Sequence, residues 1–406
     1  MAKKRIAVHI QSEVQWFSVA PLLEALKKSQ YKIVVLIDGH EGDAEGAGMA
    51  LDMRSFLRKN GYGAVFFSEC IDDCFDLMIA PYIDGKVNAR CYLKYEYGTL
   101  NVKPNLTYTP HFMDRFDGFL CQSTVTANLL SAYGKTFLVD NLRFCGMKKK
   151  NFSPAKKKKT VLFAPTFNDS LTEDDLGKII DNLKSKYRVI VKGHHGTEYL
   201  VCNREKKDIL VQKADKYYGP KTNLSELIVD ADVCLFGNSS AVGEALYAGV
   251  PCLVFAEDLN LFSYGELQTT LSEFAADGDL LVCKDLGMIE KMIEEAMSIA
   301  YRDRQKRLSQ RIFPLSARDG VKGYLEVIDA FMNDRDTRDY LILHRYMINE
   351  KYYDLGYYKN ELKEAEEKCK KMVEYKEMLD DYRKRKLYRL ADKIYRLEGM
   401  IKNEKN

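Results

Sequence analysis

Short apolar runs alternate with stretches of helical periodicity through most of this chain. Residues 5–10 read as a strand, and residues 16–28 place Phe17, Val19, Leu22, Leu23 and Leu26 on one helical face. Residues 31–37 predict a second strand, closed by the loop 38–42. Residues 53–59 predict a helix, and 64–67 and 75–80 further strands. A strand at 116–122, a helix from Ser123 to its stop at Gly134, and a strand at 137–139 complete this series.

A second series begins at Thr160. Strands are expected at 161–164, 188–192, 208–212, 233–236, 252–255 and 280–283, with helices at 176–186, 225–229, 241–248 and 286–300. Strands alternating with helices predict parallel sheets covered on both faces, and ligands of such sheets sit beyond the carboxyl ends of the strands. Between the series, residues 145–159 are polar and carry Lys156-Lys-Lys-Lys159, a solvated linker. From about 334 the pattern changes again. Leu355, Tyr358, Leu362, Ala365, Cys369 and Met372, then Leu387, Leu390, Ile394, Leu397 and Ile401, recur at spacings of three and four. That is a coiled-coil seam with one interruption. The expected organisation is therefore α/β, with doubly wound Rossmann-like domains at 1–150 and 160–333 and a helical tail at 334–406.

The stretch with the clearest chemistry is Asp232-Val-Cys-Leu-Phe-Gly-Asn-Ser-Ser240. It predicts a buried strand, a turn with two hydroxyls, and a helix running to Gly249 ahead of Pro251. Free N–H groups at a helix N-terminus favour a phosphate or diphosphate, and Glu244 lies one turn further on, within reach of a ribose diol. Lys192 and His194 at a neighbouring strand end add positive or donor character, and Thr166 and Asn168 occupy another strand-end loop. Glu13, on the loop after the first strand, is the first candidate base for an acceptor hydroxyl, with Glu96 and Tyr97 the alternatives.

Composition narrows the partners. The net charge is +3, too small for a broad nucleic-acid footprint. The ten cysteines show no zinc spacing and read as reduced thiols of a cytoplasmic protein. No run approaches a membrane span, and no Asp-x-Asp near a strand end recommends a metal. From Lys351 onward 16 lysines and arginines face 12 acids, so the tail carries the positive excess. It is expected to join copies of the chain into an oligomer, and its basic face suits an anionic membrane surface.

Four landmarks in the second half resemble the CDP-glycerol:glycerophosphotransferases of teichoic acid and capsule synthesis. They are Val161-Leu-Phe-Ala-Pro-Thr-Phe-Asn-Asp169, Val189-Ile-Val-Lys-Gly-His194, the Ala231–Ser240 stretch, and Arg318-Asp-Gly-Val-Lys-Gly-Tyr-Leu-Glu-Val-Ile328. The Ser-Ser-x-x-x-Glu-Ala pattern is similar also to nucleotide-sugar glycosyltransferases and to UDP-N-acetylglucosamine 2-epimerase. The loop His9-Ile-Gln-Ser-Glu13 looks like that of Kdo transferases. The resemblance implies the glycosyltransferase-B (GT-B) fold and a CDP- or UDP-linked donor. It also implies a glycan, polymer or lipid-linked acceptor, no cofactor beyond the donor's nucleotide, and a donor-side role for Asp319. It departs from the family where Glu96-Tyr97-Gly98-Thr99 stands in place of His-Gly-Thr, and a tyrosine is a poor base at neutral pH. An enzyme of this kind is the first expectation. A binding scaffold with a vestigial cleft, working through its coiled coil, is the alternative of another class.

Overall fold

The computed structural model describes residues 3–38, 44–70, 73–82, 87–100, 113, 115–147, 158–166, 171–194, 204–259, 270–313 and 320–333, all within one compact unit, Met1–Arg345. The tail from 334, with its expected seam, lies outside the described residues, as do Asn168 and Asp319.

The first half supplies β1 (Arg5–His9), β2 (Lys32–Ile37), β3 (Ala64–Phe66), β4 (Cys74–Phe75), β5 (Leu77–Ala80), β6 (Asn88–Ala89), β7 (Tyr92–Tyr95), β8 (Gly118–Cys121) and β9 (Lys135–Leu138). Seven of these form a parallel sheet in the order β3-β2-β1-β5-β7-β8-β9, and β4 pairs with β6. Helices α1 (Glu13–Lys27), α2 (Ala44–Lys59) and α3 (Thr124–Leu130) connect the strands.

In the second half, β10 (Thr160–Ala164), β11 (Arg188–Lys192), β12 (Lys216–Tyr218), β13 (Val233–Phe236), β14 (Cys252–Phe255) and β15 (Leu281–Cys283) form a second parallel sheet, ordered β12-β11-β10-β13-β14-β15. Its helices are α4 (Glu173–Lys184), α5 (Arg204–Lys213), α6 (Leu224–Asp230), α7 (Ala241–Ala248), α8 (Thr270–Ala276), α9 (Ile289–Ala296) and α10 (Ile299–Ile312). The last described helix is α11 (Val321–Asn333).

The apolar runs are continuous because both sheet faces are covered. Leu162 and Ala164 pack into one core with Cys234 and Phe236, while Val161 and Phe163 face the other with Val233 and Leu235. Full burial of each such large apolar side chain contributes about 1.5–3 kcal/mol. The described cysteines are free thiols. Among the described residues no helix is long and apolar enough to cross a membrane.

Three expectations are corrected. Residues 208–212 are helix, not strand: in α5 only Leu210 is buried while Val211 is 48% exposed, so the consecutive Ile-Leu-Val points to different sides of a charged helix. The helix expected over 286–300 breaks after α9, where the Ser298 hydroxyl accepts from Tyr301 N–H and starts α10. The second domain does not run to 333. Tyr324, Ile328 and Met332 of α11 are buried in the first half's core with Ile6, Leu22 and Val35, and Tyr31 Oη donates to Asp329 at 2.5 Å. An amphipathic helix must cover some apolar surface, and α11 covers the flank of α1.

Candidate functional site

The order of the second sheet reverses between β10 and β13, the place where an open α/β sheet binds its ligand. Here β13 runs out at Phe236, Gly237-Asn238-Ser239-Ser240 turns, and α7 begins. Asn238 Nδ2 donates to the Leu259 carbonyl at 3.1 Å, anchoring the turn from below. The Ser239 hydroxyl accepts from Ala241 N–H at 3.2 Å. The hydroxyl of Ser240 makes no capping bond. Gly249, at φ 70°, ends α7 in the left-handed region that glycine tolerates.

This turn forms one wall of a cavity of about 140 Å³. Ala164 and Pro165 from the end of β10 and Lys192, Gly193 and His194 from the end of β11 continue that wall. Lys192 is buried and its Nζ donates to the Gly193 carbonyl at 3.0 Å. A Cβ at position 193 would stand 2.0 Å from Tyr217 Oη, so a side chain there would have to displace the Tyr217 phenol.

The first half supplies the opposite wall: Val14 and Phe17 from α1, Tyr97 after β7, and Arg143 after β9. Residues 98–100 lie directly on the start of α7. Thr99 Oγ1 donates to the Ser240 carbonyl at 3.1 Å. A Cβ on Gly98 would stand 2.9 Å from Ser240 Oγ, and one on Gly243 would stand 2.0 Å from Thr99 Oγ1. One glycine in each half therefore permits this contact.

Arg143 joins the walls. Its Nε donates to Ser18 Oγ at 2.8 Å, its Nη2 to the carbonyls of Val14 (3.1 Å) and Tyr97, and its Nη1 pairs with Glu244. The other Glu244 oxygen accepts from Ser225 Oγ at 3.3 Å. Burial raises the Glu244 carboxyl above the ordinary range, against the lowering pull of Arg143, Ser225 and Lys192.

Of the residues singled out from sequence, Lys192, His194, Ser239, Ser240, Glu244 and Tyr97 share this cavity. Thr166 is buried beside it, following Pro165. Glu13 is corrected: it opens α1 instead of sitting on a loop, because the Ser12 hydroxyl caps the helix there, and Val14 and Phe17 of this helix line the cavity while Glu13 does not. Glu13 is 3% exposed. Glu96 lies outside the lining, paired with Lys94 at 2.8 Å, and its carbonyl accepts from Gln122. The Tyr97 phenol is pushed up by burial, then by Glu96, which makes it a still poorer base. Arg143 was missed. Set just before a lysine-rich linker, it reads as one more solvated charge; its apolar neighbours Leu142 and Phe144 were the available signal. Among the described residues no group of three His, Cys, Asp or Glu side chains is placed to hold a metal ion.

No family model matches the chain, and no curated protein matches its sequence. Solved structures do match its fold. A Listeria monocytogenes protein assigned as a UDP-N-acetylglucosamine 2-epimerase has a TM-score of 0.55 at 15% identity, covering 83% of this chain and 98% of that one. The wall teichoic acid polymerase TagF soaked with CDPG has a TM-score of 0.55 at 10% identity, covering 82% and 89%. The S. aureus MnaA–UDP co-structure has a TM-score of 0.52 at 12% identity, covering 81% and 97%. The chain thus has the α/β fold of two doubly wound sheets that these proteins share, the GT-B fold.

Proposed function

We propose that this protein is an enzyme that transfers glycerol phosphate or a sugar from a nucleotide-diphosphate donor to a glycan or polymer acceptor. The observation that carries the reading is one cavity at the strand reversal, lined together by Ser239, Ser240, the N-terminus of α7, Lys192, His194 and Glu244. Such a set suits a diphosphate leaving group: hydroxyls and helix N–H groups donate hydrogen bonds to its oxygens, and Lys192 offsets charge that develops in transfer. Glu244 is the candidate ribose ligand. Glu13, one residue before the cavity-lining Val14, is retained as the candidate base. The fold shared with a protein soaked with CDPG supports a CDP-linked donor.

A UDP-sugar 2-epimerase is the second reading, favoured by the fold shared with the Listeria protein and MnaA–UDP. A noncatalytic scaffold is the third. Calorimetric titration with CDP, UDP, CMP and CDP-glycerol separates them. A transferase of the proposed class binds CDP or CDP-glycerol, an epimerase prefers UDP, and a scaffold binds none. Ser239→Ala with Ser240→Ala should weaken diphosphate binding by about 1–3 kcal/mol. Unchanged affinity in the folded double variant removes the diphosphate assignment. The tail is proposed to join copies of the chain and to rest on anionic lipid. Light scattering with and without residues 334–406, and flotation on anionic vesicles, test those two points.

A further inference from the structure

The ribose assignment leaves a puzzle, because both oxygens of Glu244 are already engaged, one by Arg143 and the other by Ser225. Arg143 comes from the other half of the molecule. It sits in the 3-10 turn Leu142–Phe144, whose cap Asn141 accepts from Arg143 N–H at 3.1 Å. Leu142 is buried in the first half's core and Phe144 in the second's, its ring 4.8 Å from that of Tyr247 on α7. Tyr247 Oη in turn donates to Asp140 at 2.5 Å. The backbone carrying Arg143 is thus held from both sides, and the guanidinium is aimed rather than loose.

Three of its bonds go to neutral acceptors of the first half: one hydroxyl and two carbonyls. Its ionic bond goes to Glu244. A guanidinium is a planar fork matched to two oxygens of a phosphate, and it takes a dianionic group more strongly than a shared carboxylate. A nucleoside diphosphate offers both halves of an exchange: phosphate oxygens for Arg143 and ribose hydroxyls for Glu244.

Resting on the donor reading above, we propose that the Arg143–Glu244 pair is a bridge across the cleft and that a nucleoside diphosphate replaces it. In the exchange Arg143 moves onto the diphosphate and Glu244 onto the ribose. Arg143 is then the residue by which the first half recognises the phosphates, and a nucleoside without phosphates gains nothing from it. Such a nucleoside must still displace Arg143 to reach Glu244, so the bridge also screens out unphosphorylated nucleosides.

The test is calorimetry on the full chain with CDP, UDP and the matching nucleosides, for wild type, Arg143→Gln and Arg143→Lys. Arg143→Gln should lose about 10- to 100-fold in diphosphate affinity while nucleoside affinity holds or rises. Arg143→Lys, which keeps the charge but not the fork, should fall between. Equal losses for diphosphate and nucleoside would mean that Arg143 only braces the two halves, and would overturn the exchange while leaving the donor reading intact. A wild-type protein that binds no nucleotide overturns both. If Arg143→Gln unfolds on melting, the double variant Arg143→Gln, Glu244→Gln removes both charges. Its diphosphate-to-nucleoside affinity ratio should drop just as far, and a ratio kept at the wild-type value overturns the proposal.

Discussion

Two ion pairs are buried to the same depth in this molecule, with side-chain exposures of 3% and 5% for Lys94–Glu96 and of 5% and 3% for Arg143–Glu244. The first is closed within one half, between residues two apart at the end of β7. The second joins residues 101 apart, across the cleft, and both partners line the cavity. Burying charge costs several kcal/mol per ion, so neither pair is an inexpensive way to hold a fold together. The difference lies in what each pair can exchange its partner for. Lys94 and Glu96 lie outside the cavity lining and have no ligand to turn to. Arg143 and Glu244 line the cavity of about 140 Å³.

The largest expected effect breaks the closed pair. Lys94→Ala removes the cation 2.8 Å from the buried Glu96 carboxylate and should cost about 3–5 kcal/mol in urea denaturation. Replacing both, as Lys94→Met with Glu96→Leu, should recover most of that loss. Retained turnover in this double variant would also remove Glu96 as a candidate base; lost turnover in a stable double variant would restore it. A cost below about 1 kcal/mol for Lys94→Ala would mean that water reaches the pair, and the contrast in burial would fail.

Glu13 sharpens the contrast from the acceptor side. If it takes the acceptor proton, Glu13→Gln should keep donor affinity and lower turnover by about 10²-fold. Near-normal turnover would eliminate it as the base.

The sheets were legible because buried strands in doubly covered sheets are short continuous apolar runs, as at Val161, Val189 and Val233, and because Gly249 and Pro251 punctuate α7 plainly. The wall built on this turn was legible for the same reason: Ser239, Ser240 and Glu244 lie within six residues on one turn and helix. The opposite wall was not. Arg143 meets Glu244 only through the packing of two halves, and no local spacing encodes a contact 101 residues long. Helix α11 escaped likewise. Its apolar stripe says that it covers something, while its place in the chain wrongly suggests the second half.

Gly243 tests the contact between the walls. Gly243→Ala would put a methyl 2.0 Å from Thr99 Oγ1 and 2.8 Å from Leu100 Cγ. Overpacking of this kind costs about 1–3 kcal/mol, and here it should push the halves apart and weaken donor binding as well. The control Gly249→Asn keeps a residue that tolerates the left-handed region at a position with open space around it, and should leave donor binding alone. Donor affinity unchanged in Gly243→Ala would show that the wall of the first half takes no part in binding.

The smallest effect belongs to a third pair, which also spans the cleft but in the open. Lys221, beside the cavity residues Pro220 and Thr222, lies 2.8 Å from Asp52 on α2, with exposures of 53% and 38%. An exposed pair gains little Coulomb energy in water and loses side-chain freedom, so Lys221→Ala should cost less than about 1 kcal/mol. That cost should vanish at about 1 M salt, where the screening length falls to about 3 Å. Any cost of breaking Arg143–Glu244 should persist at the same salt, because buried charges are screened far less. If Lys221→Ala instead cost more than Arg143→Gln, the halves would be held at their rim and not at the cavity, and the order of these pairs would have to be reversed.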